Sequence, residues 1–170
     1  DLSSKDYIYK PPTGRYHHAA TVVGKYLYVF GGRDVGNMFL SDTSLLNLET
    51  GQWLAVTPTT KPPSLRRGHV VFSSNDKTVF LFGGFNQDLL NDFYSFNIDT
   101  FKYKKLGGRM PSRRADMSVS RCGLSLFIFF GGVGYDGLLN EVWQFSTGTH
   151  HPPFPTASSP SLQSLFSSRR

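Results

Sequence analysis

The sequence predicts an all-β protein made of three successive copies of one four-stranded antiparallel meander. Three observations predict it. Strongly apolar runs ending in a Gly pair recur three times, roughly fifty residues apart, which marks stacked or radially arranged units. Each run is followed by an acidic residue and an apolar alternation that looks the same from copy to copy. The composition of the 170 residues, with 39% hydrophobic and 15% aromatic residues, 17 Gly and 10 Pro, suits short strands punctuated by turns.

The runs are Tyr26-Leu27-Tyr28-Val29-Phe30-Gly31-Gly32, Thr78-Val79-Phe80-Leu81-Phe82-Gly83-Gly84 and Leu126-Phe127-Ile128-Phe129-Phe130-Gly131-Gly132. Before each lies a turn in which an arginine follows proline: Pro12-Thr13-Gly14-Arg15, Pro63-Ser64-Leu65-Arg66 and Pro111-Ser112-Arg113. After each come Ser41-Asp42, Asn91-Asp92 and Asn140-Glu141, then the alternations Leu46/Leu48, Phe96/Ile98 and Trp143/Phe145. The first two copies also finish alike, with Asn47-Leu48-Glu49-Thr50-Gly51-Gln52-Trp53 matching Asn97-Ile98-Asp99-Thr100-Phe101-Lys102-Tyr103.

Four strands are predicted per copy, in the first at 17–23, 26–30, 43–48 and 52–56, each short and rich in β-branched or aromatic residues. Gly24-Lys25 and Glu49-Thr50-Gly51 are hairpin-sized connections, so consecutive strands run antiparallel. The second strand is nearly continuously apolar and is expected to be buried on both faces.

A Gly pair after an apolar strand, an aromatic about twenty residues later and a Pro-x-x-Arg turn opening the next copy resemble the kelch repeat, from about Gly14 to Ser146. The resemblance implies that each copy is one blade of a β-propeller. It also implies structural roles for the pairs Gly31-Gly32, Gly83-Gly84 and Gly131-Gly132, which allow tight packing, and for Trp53 and Tyr103, which pack between blades. The expected organisation is a lead-in at 1–13, a remnant of a preceding blade, then repeats at 14–61, 62–110 and 111–147. The third departs from the pattern after Ser146 and lacks its outer strand, and the Ser- and Pro-rich segment 148–170 is expected to be disordered.

Closed propellers have four to eight blades, so three incomplete ones make only part of a ring. The expectation is a fragment of a longer protein, a truncated form, or a chain that completes a propeller by self-association. No apolar stretch has the length that spans a bilayer, so no membrane partner is expected. The single Cys122 leaves no intrachain disulfide and fits a reducing compartment, cytoplasmic or nuclear.

The residues offer little for catalysis. Adjacent strand residues His17 and His18 point to opposite faces and do not serve one metal. His18 and His69 share a repeat position, which Asp116 is expected to fill in the third copy. No Gly-x-Ser-x-Gly elbow is present, and Cys122 sits in a predicted turn. Asp42, Asp92 and Glu141 are equivalent across copies, so they are separated around the blades rather than paired. They are expected to cap the third strands. No helix follows the Gly pairs, which rules out a phosphate loop. The expectation is therefore a non-enzyme with no cofactor and no metal. Galactose oxidase is the enzymatic precedent among propellers, and no copper-ligand set like its own can be recognised here.

The formal charge of +6 favours acidic partners, yet the basic residues are scattered in pairs, so nucleic acid is not expected. Arg15, Arg66 and Arg113 recur at the junction entering each first strand, which in kelch propellers lies near a mouth where partners dock. They either bond carbonyls of neighbouring blades or present guanidinium groups to carboxylates or phosphates. Arg67 and Arg114 stand where the first copy has Tyr16, a variability suited to specificity. The connections at 33–40, 85–90 and 133–139 vary while their flanks repeat, and they carry the aromatic candidates Phe39, Phe85 and Tyr135. The expected function is a protein-binding scaffold for an acidic or phosphorylated segment. By analogy with kelch proteins it is a substrate-recognition module of a ubiquitin ligase, with a cytoskeletal, actin-binding scaffold as the alternative and a fragment of a galactose-oxidase-like enzyme as the third reading.

Overall fold

The computed structural model describes residues 10–147. The segments 1–9 and 148–170, with most of the lead-in and the whole Ser/Pro-rich segment, lie outside the described residues. The first sheet holds β1 (Ala19–Val23), β2 (Tyr26–Phe30), β3 (Thr43–Asn47) and β4 (Trp53–Val56), paired in that order and antiparallel throughout. The second repeats it with β5 (Val70–Ser73), β6 (Thr78–Phe85), β7 (Leu89–Asn97) and β8 (Lys102–Leu106). The third joins β9 (Ser118–Cys122), β10 (Leu126–Phe130) and, beyond a short hairpin of β11 (Val133–Gly134) and β12 (Gly137–Leu138), β13 (Val142–Ser146). The sheets form an open row of propeller-type blades, not a ring.

In the second blade β6 and β7 run on past the glycines, with the register shifting between Phe82 and Gly84. Beyond that bulge the pairing reaches Phe85, the first residue of the 85–90 connection, which pairs with Leu89.

Alternation along the strands decides what each blade buries. Tyr28, Phe30, Leu45 and Leu54 project from the first blade onto Val71, Val79, Leu81, Phe96 and Tyr103 of the second. The other face of the second blade, through Val70, Phe72, Phe80, Phe82 and Phe93, packs on Phe127, Phe129 and Trp143 of the third. The middle blade thus buries both faces, as a near-continuous apolar strand requires.

The two seams differ in chemistry. In the first, the Tyr103 hydroxyl hydrogen-bonds the Tyr28 hydroxyl at 2.6 Å and the Thr43 hydroxyl at 2.9 Å. The second is aromatic, with Phe72 4.4 Å from Phe127 between ring centroids and edge-on to Phe129 at 5.4 Å. Tyr103 lies in the seam between the first and second blades. Trp53 follows the same alternation on the first blade and so sits half-buried on the face turned away from the second.

Main-chain bonds stitch the seams at the end where the Gly pairs lie. The Gly32 amide donates to the Arg66 carbonyl at 2.8 Å and the Gly84 amide to the Arg114 carbonyl at 2.9 Å. A Cβ on Gly31 would stand 2.8 Å from the Arg66 carbonyl oxygen, and one on Gly83 would meet that of Arg114 equally closely. Both glycines also have left-handed φ, 62° and 66°. The Gly pair is therefore where the next blade's main chain touches the previous one.

Candidate functional site

Each first strand is entered through an arginine that bonds within its own blade. Arg15 places Nη1 and Nη2 each 2.7 Å from the two Asp42 carboxylate oxygens and donates from Nη1 to the Gly31 carbonyl at 3.0 Å. Arg66 does the same with Asp92, at 2.5 and 2.8 Å, and with the Gly83 carbonyl at 3.0 Å. Arg114 donates to Glu141 at 2.5 Å and to the Gly131 carbonyl at 3.2 Å. Its guanidinium, and then the Trp143 indole N–H, hold the Glu141 carboxyl below the usual carboxylate range.

These pairs revise the sequence alignment. The repeated arginine of the third blade is Arg114, three residues after Pro111, and not Arg113. Asp42 and Asp92, expected as strand caps, instead receive two-pronged arginine forks, and Glu141, expected likewise, receives one Arg114 hydrogen bond together with the Trp143 indole N–H. The one-residue shift also moves the histidine position. His18, His69 and Met117 are equivalent, while Asp116 matches His17 and Gly68, and all three of the latter have φ between 53° and 61°. His69 packs edge-on against Phe30 at 5.4 Å, and burial, then the Arg66 charge, lowers its pKa to about 3.

Burial divides the candidate residues. Arg66 and Arg114 are buried and Arg15 nearly so, and their guanidinium groups are engaged inside the blade. Arg67, Arg113, Phe39, Phe85 and Tyr135 reach solvent wholly or in part.

The structure gathers these into two clusters on one rim. In the first, the Arg67 guanidinium lies 5.2 Å from the Phe85 ring centroid and Phe85 lies 6.0 Å from Phe39. The row ends on Arg33, 4.1 Å from the Phe39 centroid. Arg33 and Arg67 each have a buried Nε without a hydrogen-bond partner among the described residues. Arg67 makes a long ion pair, 3.8 Å to Asp116. In the second cluster Asp88 receives Arg113 at 3.2 Å and the Tyr135 hydroxyl. The Tyr135 hydrogen bond is the main cause holding the Asp88 carboxyl below its ordinary range.

Arg33 was missed by sequence reasoning. Its signal was its place directly after a Gly pair, where the second blade has Phe85 and the third Val133. Antiparallel bridges Tyr16 to Arg33 and Arg67 to Phe85 set these side chains side by side. Among the described residues no group of three or more His, Cys, Asp or Glu side chains is placed to hold a metal ion.

Open antiparallel blades joined through Gly pairs, with an arginine–acid lock in each, define the class of kelch-type propeller scaffolds. A family model for the KLHDC2/KLHL20/DRC7 Kelch-repeats domain matches residues 17–164, and the chain belongs to the kelch-repeat family. Among curated proteins it is 30% identical over 171 residues to Kelch domain-containing protein 3 of Homo sapiens, covering 91% of this chain and 44% of that protein. It is 28% identical over 136 residues to Acyl-CoA-binding domain-containing protein 5 of Arabidopsis thaliana, covering 78% and 21%. It is also 30% identical over 148 residues to the flagellar outer arm dynein alpha chain of Chlamydomonas reinhardtii, covering 81% and 3%. The chain spans less than half the length of each. Kelch-repeat domains are generally non-catalytic and mediate protein–protein contacts.

Proposed function

We propose that this chain binds an acidic or phosphorylated segment of another protein along its rim. The observation that carries the reading is the row Arg33, Phe39, Phe85, Arg67, which spans the seam between the first two blades. Its two guanidinium groups lie over aromatic faces and keep donors available to a carboxylate or phosphate, while the rings offer rigid apolar anchors beside them. Arg113 adds a further exposed cation. The long connections that vary between blades are the parts on which specificity would rest.

Membership of the kelch family supports a role as a substrate-recognition module of a ubiquitin ligase; a cytoplasmic or nuclear location belongs to the same proposal and rests on the single free thiol of Cys122. A cytoskeletal, actin-binding scaffold is the second reading, supported by the same positive rim. Association with further blades would extend the rim. Two titrations separate the readings: fluorescence anisotropy with a labelled oligoglutamate peptide and its phosphoserine counterpart, and co-sedimentation with actin filaments at low and moderate salt. Saturable, salt-sensitive peptide binding without filament binding supports the recognition module, and binding to neither removes the proposal.

A further inference from the structure

The two seams inside the chain show what covers each face of a blade, and the two end blades each leave the matching half of such a seam exposed. Phe30 and Phe82, each preceding its Gly pair, are 0% and 2% exposed because the next blade covers them. Their equivalent in the third blade, Phe130, is 52% exposed. Thr43 and Phe93 are 2% and 3% exposed, against 39% for the equivalent Val142. Over Gly31 lies the His69 ring, and over Gly83 lies the Met117 methyl, each from the following blade. Near Gly131 the closest approach to an added Cβ is instead Leu139 of the same blade.

The other end carries the complementary half. His18, equivalent to His69 and Met117, is exposed, as is Ala20, whose equivalent Val71 is buried. Val22 is exposed beside them. The main chain follows the same logic. Gly32 and Gly84 donate to the carbonyls of Arg66 and Arg114, while among the described residues no carbonyl accepts from Gly132. The Gly68 amide donates to the His17 carbonyl and the Asp116 amide to that of Gly68. The next members of these series are the Arg15 carbonyl and the His17 amide of a first blade.

We propose that two copies of this chain join head to tail into a closed ring of six blades. The third blade of each copy receives the first blade of the other, with His18 seated over Phe130 and Gly131 and the Gly132 amide bonded to the Arg15 carbonyl. Three blades plus three fall within the four to eight that close a propeller. A head-to-tail contact whose rotation closes gives a finite assembly rather than a filament. The proposal does not depend on peptide binding at the rim.

The test is light scattering on residues 1–170 together with Phe130→Asp and His18→Asp, which alter opposite halves of the seam at exposed positions. The expected result is a dimer for the parent chain and about tenfold or greater weakening in each variant, with near-ultraviolet circular dichroism unchanged. Mixing the two variants restores a dimer, because one of its two seams then has both halves unaltered. A monomeric parent overturns the proposal, as do polydisperse larger assemblies. So does a dimer that neither substitution weakens, or a mixture no tighter than the separate variants.

Discussion

Arg66 and Asp92 meet fork to fork, at 2.5 and 2.8 Å, with the arginine side chain fully buried and the carboxylate largely so. The same guanidinium also holds the Gly83 carbonyl, while the Arg66 main-chain carbonyl accepts from Gly32 of the preceding blade. One residue thus locks its own blade with its side chain and the neighbouring blade with its backbone.

Arg66→Ala leaves Asp92 without its counter-charge and the Gly83 carbonyl without its donor. Because Asp92 keeps some contact with water, the expected loss is about 2–4 kcal/mol, somewhat below that of a fully buried pair. Arg113→Ala removes an exposed pair with Asp88 and is expected to cost less than about 1 kcal/mol. Urea denaturation of the two variants beside the parent chain measures the contrast. Equal losses would contradict the division into a locking arginine and a rim arginine.

Gly83→Ala is expected to loosen the second seam. Its φ of 66° is unfavourable for a side chain, and the new Cβ would stand 2.8 Å from the Arg114 carbonyl oxygen. Backbone strain and the clash together suggest about 2–4 kcal/mol. Gly51→Ala has a similar φ of 71° and nothing within 4 Å, so only the conformational cost of about 1 kcal/mol is expected. Thermal melts of both variants give the comparison.

His69 makes the first seam sensitive to pH. Its folded pKa is about 3, against an ordinary value of 6.5, so the unfolded chain binds the extra proton. Stability is therefore full above about pH 6.5 and declines as pH falls, by up to about 1.4 kcal/mol per unit, until the folded group titrates near 3. Met occupies the equivalent place in the third blade, which makes His69→Met a conservative control. Denaturation at pH 7 and pH 5 is expected to show a smaller pH difference in that variant than in the parent chain.

The repeats and most strands could be read from sequence because they rest on local patterns: apolar alternation, turn residues and the Gly pairs. The expected 26–30 strand coincides with β2, and the other predicted bounds of the first blade differ from the structure by a residue or two. The one-residue error in the third blade arose because Arg113 and Arg114 are adjacent, and sequence does not show which of them reaches Glu141. Arg66 and Arg15 were recognised as recurrent. Their acid partners, more than twenty residues away in the chain, emerged only when the first three strands of each blade, β1 to β3 and β5 to β7, were brought together. Burial of β10 on both faces was also expected. Phe130 is exposed because this blade stands at the end of the row, a property of the assembly that its own strand pattern does not carry.

The most direct test of the rim as a binding surface is anisotropy of a labelled oligoglutamate peptide against the parent chain, Arg33→Ala, Arg67→Ala and the double variant. The account predicts binding that weakens with salt, falls about tenfold or more in the double variant, and leaves the melting temperature of each variant within a few degrees of the parent. Peptide affinity unchanged in the double variant, or an absence of binding to the parent chain, would contradict it.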